Sequence, residues 1–204
     1  MRALACLLLL TGLVACADHT WTRTPGPNTT TSQEKSQAYR LTAAPGPAPT
    51  GHVLKGAVFQ ASRDAGWTPA DVEAFSAHLP RRLNGCGIAL DPVLLVFGAT
   101  ESEAPGASLV LRFVERIEAG ADGTIGGRAF AGRTPPLALI ARRTGDGRLY
   151  APEQTVAHEV GHLLGLGHTA GGIDLMSPRG CLFCKFSAVQ CARLRAHPLV
   201  RPRQ

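Results

Sequence analysis

Residues 158–168 read H-E-V-G-H-L-L-G-L-G-H. This segment is the strongest indication of fold and chemistry in the sequence. His158 and His162 are four residues apart, so an α-helix would place both imidazoles on one face, about one turn apart. Glu159 would lie next to the first imidazole but rotated away from that face. The spacing predicts two metal-binding nitrogens with a carboxylate beside them.

A third imidazole follows at a helix-ending position. Gly165 tolerates the left-handed backbone conformation that terminates helices, so the chain can turn there and bring His168 back to the same metal. Three protein ligands leave one coordination position of a zinc ion open for water, which is typical of a catalytic site. The spacing therefore predicts a zinc-activated water, with Glu159 acting as its general base.

The segment resembles the extended zinc signature H-E-x-x-H-x-x-G-x-x-H of metzincin metallopeptidases, and within them matrixin-like peptidases. Met176, eight residues past His168 in L-M-S-P, is similar to the Met-turn below the metal in that family. Residues 187–195 resemble its closing helix, and residues 126–130 its edge strand that pairs with substrate. The substrate-binding residues that this resemblance implies are Gly127, Arg128, Ala129 and Phe130.

The resemblance implies a metzincin-like (zincin) α+β domain with a twisted mixed five-stranded sheet, two long helices, a Met-turn and a C-terminal helix. It implies a zinc metalloendopeptidase that hydrolyses peptide bonds of extracytoplasmic proteins or peptides. The alternative is an envelope-tethered binding or adhesion module on an inactive peptidase scaffold. Glu159 distinguishes the two, because binding alone requires no base at that position.

Departures from the matrixin pattern limit the expected metal content to one catalytic Zn²⁺. Arg128 stands where matrixins tend to have a histidine ligand of a second, structural zinc, and no H-x-D pattern precedes it. Asp122 and Gly123 could contribute to a structural calcium site in a loop. The number of visible ligands is too low to support that site, so a simple turn is the favoured interpretation.

The N-terminus reads as a targeting segment. Residues 1–15 combine Arg2 with an apolar run over residues 4–14 and fit a signal peptide. L-V-A-C at residues 13–16 resembles a bacterial lipobox, in which Cys16 becomes lipid-modified and anchors an outer-membrane lipoprotein. Ordinary cleavage, giving a secreted or periplasmic protein, is the competing interpretation.

Composition then divides the mature chain. Residues 16–51 are rich in Thr and Pro and predict a flexible tether, and residues 52–204 predict the peptidase domain. The net charge of +6 is carried mainly by scattered arginines that are not interleaved with aromatics, so no nucleic-acid partner is expected. We expect a monomer whose partners are a protein or peptide substrate and, through Cys16, a membrane.

Four cysteines follow the lipobox: Cys86, Cys181, Cys184 and Cys191. An even number in an exported protein predicts two disulfides, with three connectivities open. The C-x-x-C pair could also be half of a zinc or redox site. Disulfides are expected to tie the segment after the Met-turn to the last helix.

Local signals predict the regular elements. Thr68 and Pro69 have the residue types of an N-cap and of a first helical residue, so a helix is predicted to begin there. The zinc helix is predicted to begin at Pro152, and Ser187 is predicted to be the N-cap of the last helix. Branched residues predict strands over residues 92–97 and 109–117. Residues 53–60 and 137–142 also have the pattern of strands, and the edge strand that the resemblance implies would cover residues 126–131.

Overall fold

The computed structural model describes residues 21–26, 37–43, 51–62, 64–98, 106–118, 126–143, 154–170, 172–178, 181 and 184–203. The predictions for the signal peptide, for Cys16, for the Asp122–Gly123 turn and for a helix start at Pro152 lie outside these residues. Within the described part, the elements in chain order are β1 (Trp21–Pro25), β2 (Gln37–Ala43), β3 (His52–Leu54), β4 (Ala57–Ala61), α1 (Pro69–Ser76), α2 (His78–Asn84), β5 (Ile88–Leu90), β6 (Val93–Phe97), β7 (Leu109–Val114), β8 (Gly127–Phe130), β9 (Leu137–Ala141), α3 (Thr155–Leu163), α4 (Ala188–Ala196) and β10 (Val200–Pro202).

In the described part of the chain, the main sheet has seven strands in the order β1-β2-β6-β4-β7-β9-β8. The four central strands run parallel to one another, and the outer strands pair antiparallel to their neighbours. All five residues of β4 are buried, as expected for a strand that is covered on both faces. The chain is therefore a mixed α+β protein, as predicted.

The five-stranded sheet predicted from the sequence is wrong. Besides the seven-stranded sheet, a separate three-stranded sheet has the order β10-β3-β5. The strand predicted over residues 53–60 is interrupted at Gly56, whose φ is +71°. Because of that interruption, β3 and β4 belong to different sheets.

Two strands lie in the segment predicted to be a flexible tether. Leu41 of β2 is fully buried, and the ring of Trp21 in β1 meets Phe59 edge-on with 6.3 Å between centroids. The tether prediction for residues 16–51 is therefore wrong for β1 and β2. Polar residues on the exposed faces of these strands lower the average hydrophobicity of the segment. Its composition therefore does not reveal the buried positions.

The first helix begins where it was predicted but is shorter. Thr68 and Asp71 form a reciprocal capping box at the start of α1. Apolar residues at helical spacing predict a single helix as far as Asn84 and Gly85, but a second helix, α2, follows after Ala77. Pro80 explains the break, because it has no amide hydrogen to continue the helical ladder.

An aromatic cluster joins α1 to the sheet. Trp67 meets Phe75 and Phe113 edge-on at centroid distances of 4.8 and 5.1 Å, and Phe113 meets Phe59 at 5.6 Å. The indole Nε1 of Trp67 donates a hydrogen bond to the carbonyl of Val114 at 2.8 Å. This packing fixes the sheet against which α3 lies.

The cysteines form two disulfides, as predicted, in one of the three open connectivities. Cys86, after α2, is bonded to Cys191 in α4, and Cys181 is bonded to Cys184. The expected link between the segment after the Met-turn and the last helix is wrong, since Cys181–Cys184 closes only a local loop. Disulfides are typical of oxidising, extracytoplasmic compartments. No helix in the described ranges is both long and apolar enough to cross a bilayer.

Candidate metal centre

Three imidazoles converge at the C-terminal half of α3. His158 and His162 lie one turn apart on the same face of this helix. The helix ends at Leu163, Leu164 is its C-cap, and Gly165 follows with a φ of +83°. The chain then returns His168 to the helix. The Nε2 atom of His162 lies 3.0 Å from that of His158 and 3.0 Å from that of His168, and the remaining pair is 3.3 Å apart. The structure thus brings together the three predicted ligands.

These distances fit a tetrahedral metal. Zn–N bonds of about 2.0–2.1 Å give nitrogen–nitrogen edges of about 3.3–3.4 Å in a tetrahedron. The observed separations of 3.0 to 3.3 Å match three corners of such a tetrahedron to within a few tenths of an ångström. Among the described residues these histidines form the group able to hold a metal ion, and the donor set suits a divalent transition metal.

Backbone carbonyls orient two of the rings. The Nδ1 atom of His158 is 2.7 Å from the carbonyl oxygen of Leu175, and Nδ1 of His162 is 2.8 Å from that of Leu166. Each Nδ1–H donates to its carbonyl, so Nε2 carries the lone pair that points at the metal position. Burial lowers the pKa of both His158 and His162, which favours the neutral form that metal binding requires.

Glu159 lies beside this triad and is almost wholly buried, with 5% of its surface exposed. Burial raises the pKa of its carboxyl group to about 8. Its carboxylate faces Gly127 of β8 so closely that a Cβ atom on this glycine would be 2.5 Å from Oε1. A residue without a side chain is therefore required at position 127 to admit Glu159 between the helix and the edge strand.

A cleft of about 440 Å³ opens over these groups. On one side it is bounded by Glu159, His162 and His168, and on the other by the edge strand β8 and the residue after it. The lining residues contributed by that second side are Gly127, Arg128, Ala129 and Ala131. The predicted general base, two of the predicted ligands and part of the predicted substrate strand thus share one cavity.

Among the residues that the structure describes, β8 is the last strand of the main sheet and pairs with β9 alone. Ala141 donates a backbone hydrogen bond to the carbonyl of Gly126 at 2.8 Å. Since inward and outward hydrogen-bonding positions alternate along an antiparallel strand, Gly127 and Ala129 direct their N–H and C=O groups to the open edge. Within the described part of the chain, no strand occupies that edge.

Met176 packs against α3, the helix that carries His158 and His162. Its side chain is fully buried, and a Cβ atom on Gly161 would lie 2.5 Å from its sulfur atom. The carbonyl of Met176 accepts a hydrogen bond from the amide of Thr169 at 3.1 Å. The structure therefore places Met176 directly against α3, and Gly161 is a partner that the sequence did not indicate.

A carboxylate ties this turn to its surroundings. Asp174 Oδ1 accepts hydrogen bonds from the hydroxyl of Thr169 at 2.7 Å and from the amide of Met176 at 2.9 Å. Asp174 Oδ2 accepts one from Nε2 of Gln190 at 3.1 Å. The position of Asp174, two residues before Met176, predicts a hydrogen bond within this loop, but it does not predict the contact with Gln190. The S-x-x-Q spacing from Ser187 to Gln190, which forms a capping box, was the available signal.

Comparison of the chain with protein-family models finds no match, and comparison with curated proteins finds none either. Among solved structures, the chain is similar to metalloproteinase-II from Bacteroides fragilis, with 16% sequence identity and a TM-score of 0.49. The match covers 74% of this chain and 55% of that protein, so the chain spans about half the length of the protein it resembles. A similarity this distant is no evidence that the two proteins share an activity.

Proposed function

We propose that this chain is a zinc-dependent endopeptidase of the matrixin-like type, acting on proteins or peptides outside the cytoplasm. The observation that carries the proposal is the convergence of three imidazole Nε2 atoms, 3.0 to 3.3 Å apart, in a cleft shared with a buried glutamate. Zinc is the favoured metal because it accepts imidazole nitrogen in tetrahedral geometry. When bound, it lowers the pKa of a coordinated water and polarises the scissile carbonyl.

Glu159 supplies the proton transfer. A buried carboxyl with a pKa of about 8 is protonated at neutral pH on its own, but a positive charge within about 4–6 Å favours its ionised form. Glu159 then accepts a proton from the attacking water and passes it to the leaving amine. Its burial also holds the carboxylate in one position, against Gly127.

The open edge of β8 positions the substrate. A peptide in extended conformation can pair with the free N–H and C=O groups of Gly127 and Ala129, which is a common mode of peptide recognition. Because Gly127 faces Glu159, a peptide paired there passes directly over the base. An endopeptidase requires a groove of this kind to be open at both ends, because the substrate chain continues on both sides of the cleaved bond.

The proposal includes export and a lipid anchor on Cys16. Since β1 begins at Trp21, the chain from Cys16 to the sheet can span at most about 18 Å, at about 3.6 Å per residue. A lipid-anchored form would therefore hold the domain close to the membrane surface. Labelling with a radioactive fatty acid tests the anchor, and Cys16→Ser, which should abolish the label, is the control.

The test of activity is cleavage of a mixed peptide library by the purified protein, before and after treatment with a strong chelator. We expect internal cleavage that disappears on chelation and returns with zinc. Glu159→Gln should still bind zinc but lose at least about a thousandfold in rate, because it cannot accept a proton. A binding or adhesion module would instead leave every peptide intact, with and without zinc.

A further inference from the structure

We infer that the strand β8 carries a subsite for an acidic side chain of the substrate, formed by Arg128 and Arg133 around Phe130. This inference rests on the proposed function and specifies the substrate class: peptides with an Asp or Glu at a position that faces these arginines. It is carried by the direction of the side chains along β8, by the two cations on one aromatic ring, and by the open edge of the sheet.

Side-chain direction separates two faces of β8. Gly127 faces Glu159, and successive residues of a strand point to opposite faces. Arg128 and Phe130 therefore share the face of the sheet that is turned away from α3. The guanidinium carbon of Arg128 lies 5.8 Å from the centre of the Phe130 ring, which is consistent with that placement.

A second cation reaches the same ring. The guanidinium carbon of Arg133, in the turn after β8, lies 5.5 Å from the centre of Phe130. Both arginines are exposed, whereas Phe130 is half-buried, so the ring forms a platform with a cation stacked at each contact. Neither arginine forms an ion pair within the part of the chain that the structure describes. The two positive groups are thus available to an anionic ligand.

A peptide added to β8 would bring every second side chain to this face. Since Gly127 and Ala129 direct their backbone groups outward, the substrate residue opposite Arg128 would occupy a non-hydrogen-bonded pair, in which the Cα atoms are only about 4.5 Å apart. A carboxylate at that residue can accept two parallel hydrogen bonds from a guanidinium. An uncharged side chain forms no ion pair with a guanidinium, and a lysine would be repelled.

The experiment begins with any peptide that the wild-type protein cleaves. Each position on both sides of the cleaved bond is replaced in turn by Glu, Gln and Lys. We expect kcat/KM to be roughly threefold to tenfold higher for Glu than for Gln at one position, or at two positions separated by one residue, with Lys the poorest. The gain should appear mainly in KM and shrink in 1 M salt, because exposed charges are screened.

Variants assign the effect to the two arginines. Arg128→Gln should bring the Glu-to-Gln ratio close to one, and Arg133→Gln should reduce it. Arg201→Gln, which changes an exposed arginine on β10 in the other sheet, is the matched control and should retain the full ratio. A ratio near one at every position in the wild type, or a preference that persists in the double variant of Arg128 and Arg133, would overturn the inference.

Binding separates this inference from the proposed activity. Fluorescence anisotropy of the same labelled peptides with zinc-loaded Glu159→Gln measures Kd without turnover. If the wild type cleaves no peptide, the proposed function fails, yet a Kd threefold to tenfold lower for the Glu peptide than for the Gln peptide would still support the subsite. If the wild type cleaves many peptides but the Glu and Gln peptides have equal Kd values, the proposed activity is supported and the proposed subsite is refuted.

Discussion

The sulfur of Met176 lies directly against the backbone of Gly161, so that a methyl group at position 161 would be only 2.5 Å from it. Gly161 belongs to α3, between the two helical ligands of the candidate metal site. The contact therefore sets the height of that helix above the turn at Met176. It also explains a glycine in the middle of a helix, where glycine costs about 1 kcal/mol relative to alanine.

Gly161→Ala should lower the free energy of unfolding, by about 1–3 kcal/mol, because the added methyl overpacks a closed contact. Helix propensity alone predicts the opposite sign, a gain of up to about 1 kcal/mol. Urea denaturation measures the difference. In a Met176→Ala background the cost of Gly161→Ala should shrink, since the sulfur is gone. An equal cost in both backgrounds would show that the two residues do not act on each other.

Asp174→Ala should weaken zinc binding by about tenfold to a hundredfold, a range typical of residues that orient metal ligands. Asp174 holds the hydroxyl of Thr169, the residue that follows the ligand His168, and also holds the amide of Met176. Competition with a chromogenic chelator measures the zinc affinity. The exposed Asp64→Ala is the control, and equal affinities for the two variants would refute an orienting role for Asp174.

Much of the candidate site could be predicted from the sequence because its residues lie within one short segment. The spacing of His158 and His162 places both on one face of a helix, with Glu159 beside that face. Gly165 indicates a helix end, after which the chain can bring His168 back to the other two histidines. Contacts formed between distant segments could not be predicted in this way. The approach of Met176 to Gly161 depends on how a turn packs under a helix, and no local pattern encodes that packing.

The fold shows the same division. The start of α1 at Pro69 and the cap of α4 at Ser187 follow from side-chain hydrogen bonds within a few residues, and both were predicted. The strand β2 was missed because its buried residue Leu41 is surrounded by polar neighbours. The break before α2 was missed although Pro80 provided a readable signal. The separation of β3 from β4 at Gly56 requires knowledge of which sheet each strand joins.

The two disulfides should differ in their contribution to stability. Cys86 and Cys191 are 105 residues apart in sequence, whereas Cys181 and Cys184 are three apart. Loop-closure entropy in the unfolded chain predicts a loss of about 5 kcal/mol for Cys86→Ser with Cys191→Ser, against about 1.6 kcal/mol for the matched double variant of the short bridge. Chemical denaturation of both variants measures this, and similar losses would contradict the entropic account.

The metal-free protein should show a pH dependence that comes from Glu159. Burial raises the pKa of this carboxyl from 4.5 to about 8. Its stabilising contribution is therefore fully present below about pH 4.5 and is lost as the pH rises through about 8. Relative to Glu159→Gln, the wild type should lose on the order of 3 kcal/mol between pH 4.5 and 7 in the presence of chelator.

Comparison with Glu159→Gln isolates this contribution, because the lowered pKa values of His158 and His162 act in both proteins. The exposed Glu118→Gln provides a second reference. Denaturation curves recorded at several pH values supply the free energies. Parallel pH profiles for the wild type and Glu159→Gln would mean that the carboxyl of Glu159 is not buried in the metal-free fold.

The most direct measurement of the central claim is the number of zinc ions bound per chain, determined by elemental analysis after dialysis against trace zinc. We expect about one zinc per chain for the wild type and for Glu159→Gln, and almost none for His162→Ala. That variant removes the imidazole whose Nε2 atom lies 3.0 Å from the Nε2 atoms of both other histidines. A wild-type protein that binds no zinc, or a His162→Ala variant that binds as much as the wild type, would contradict the account.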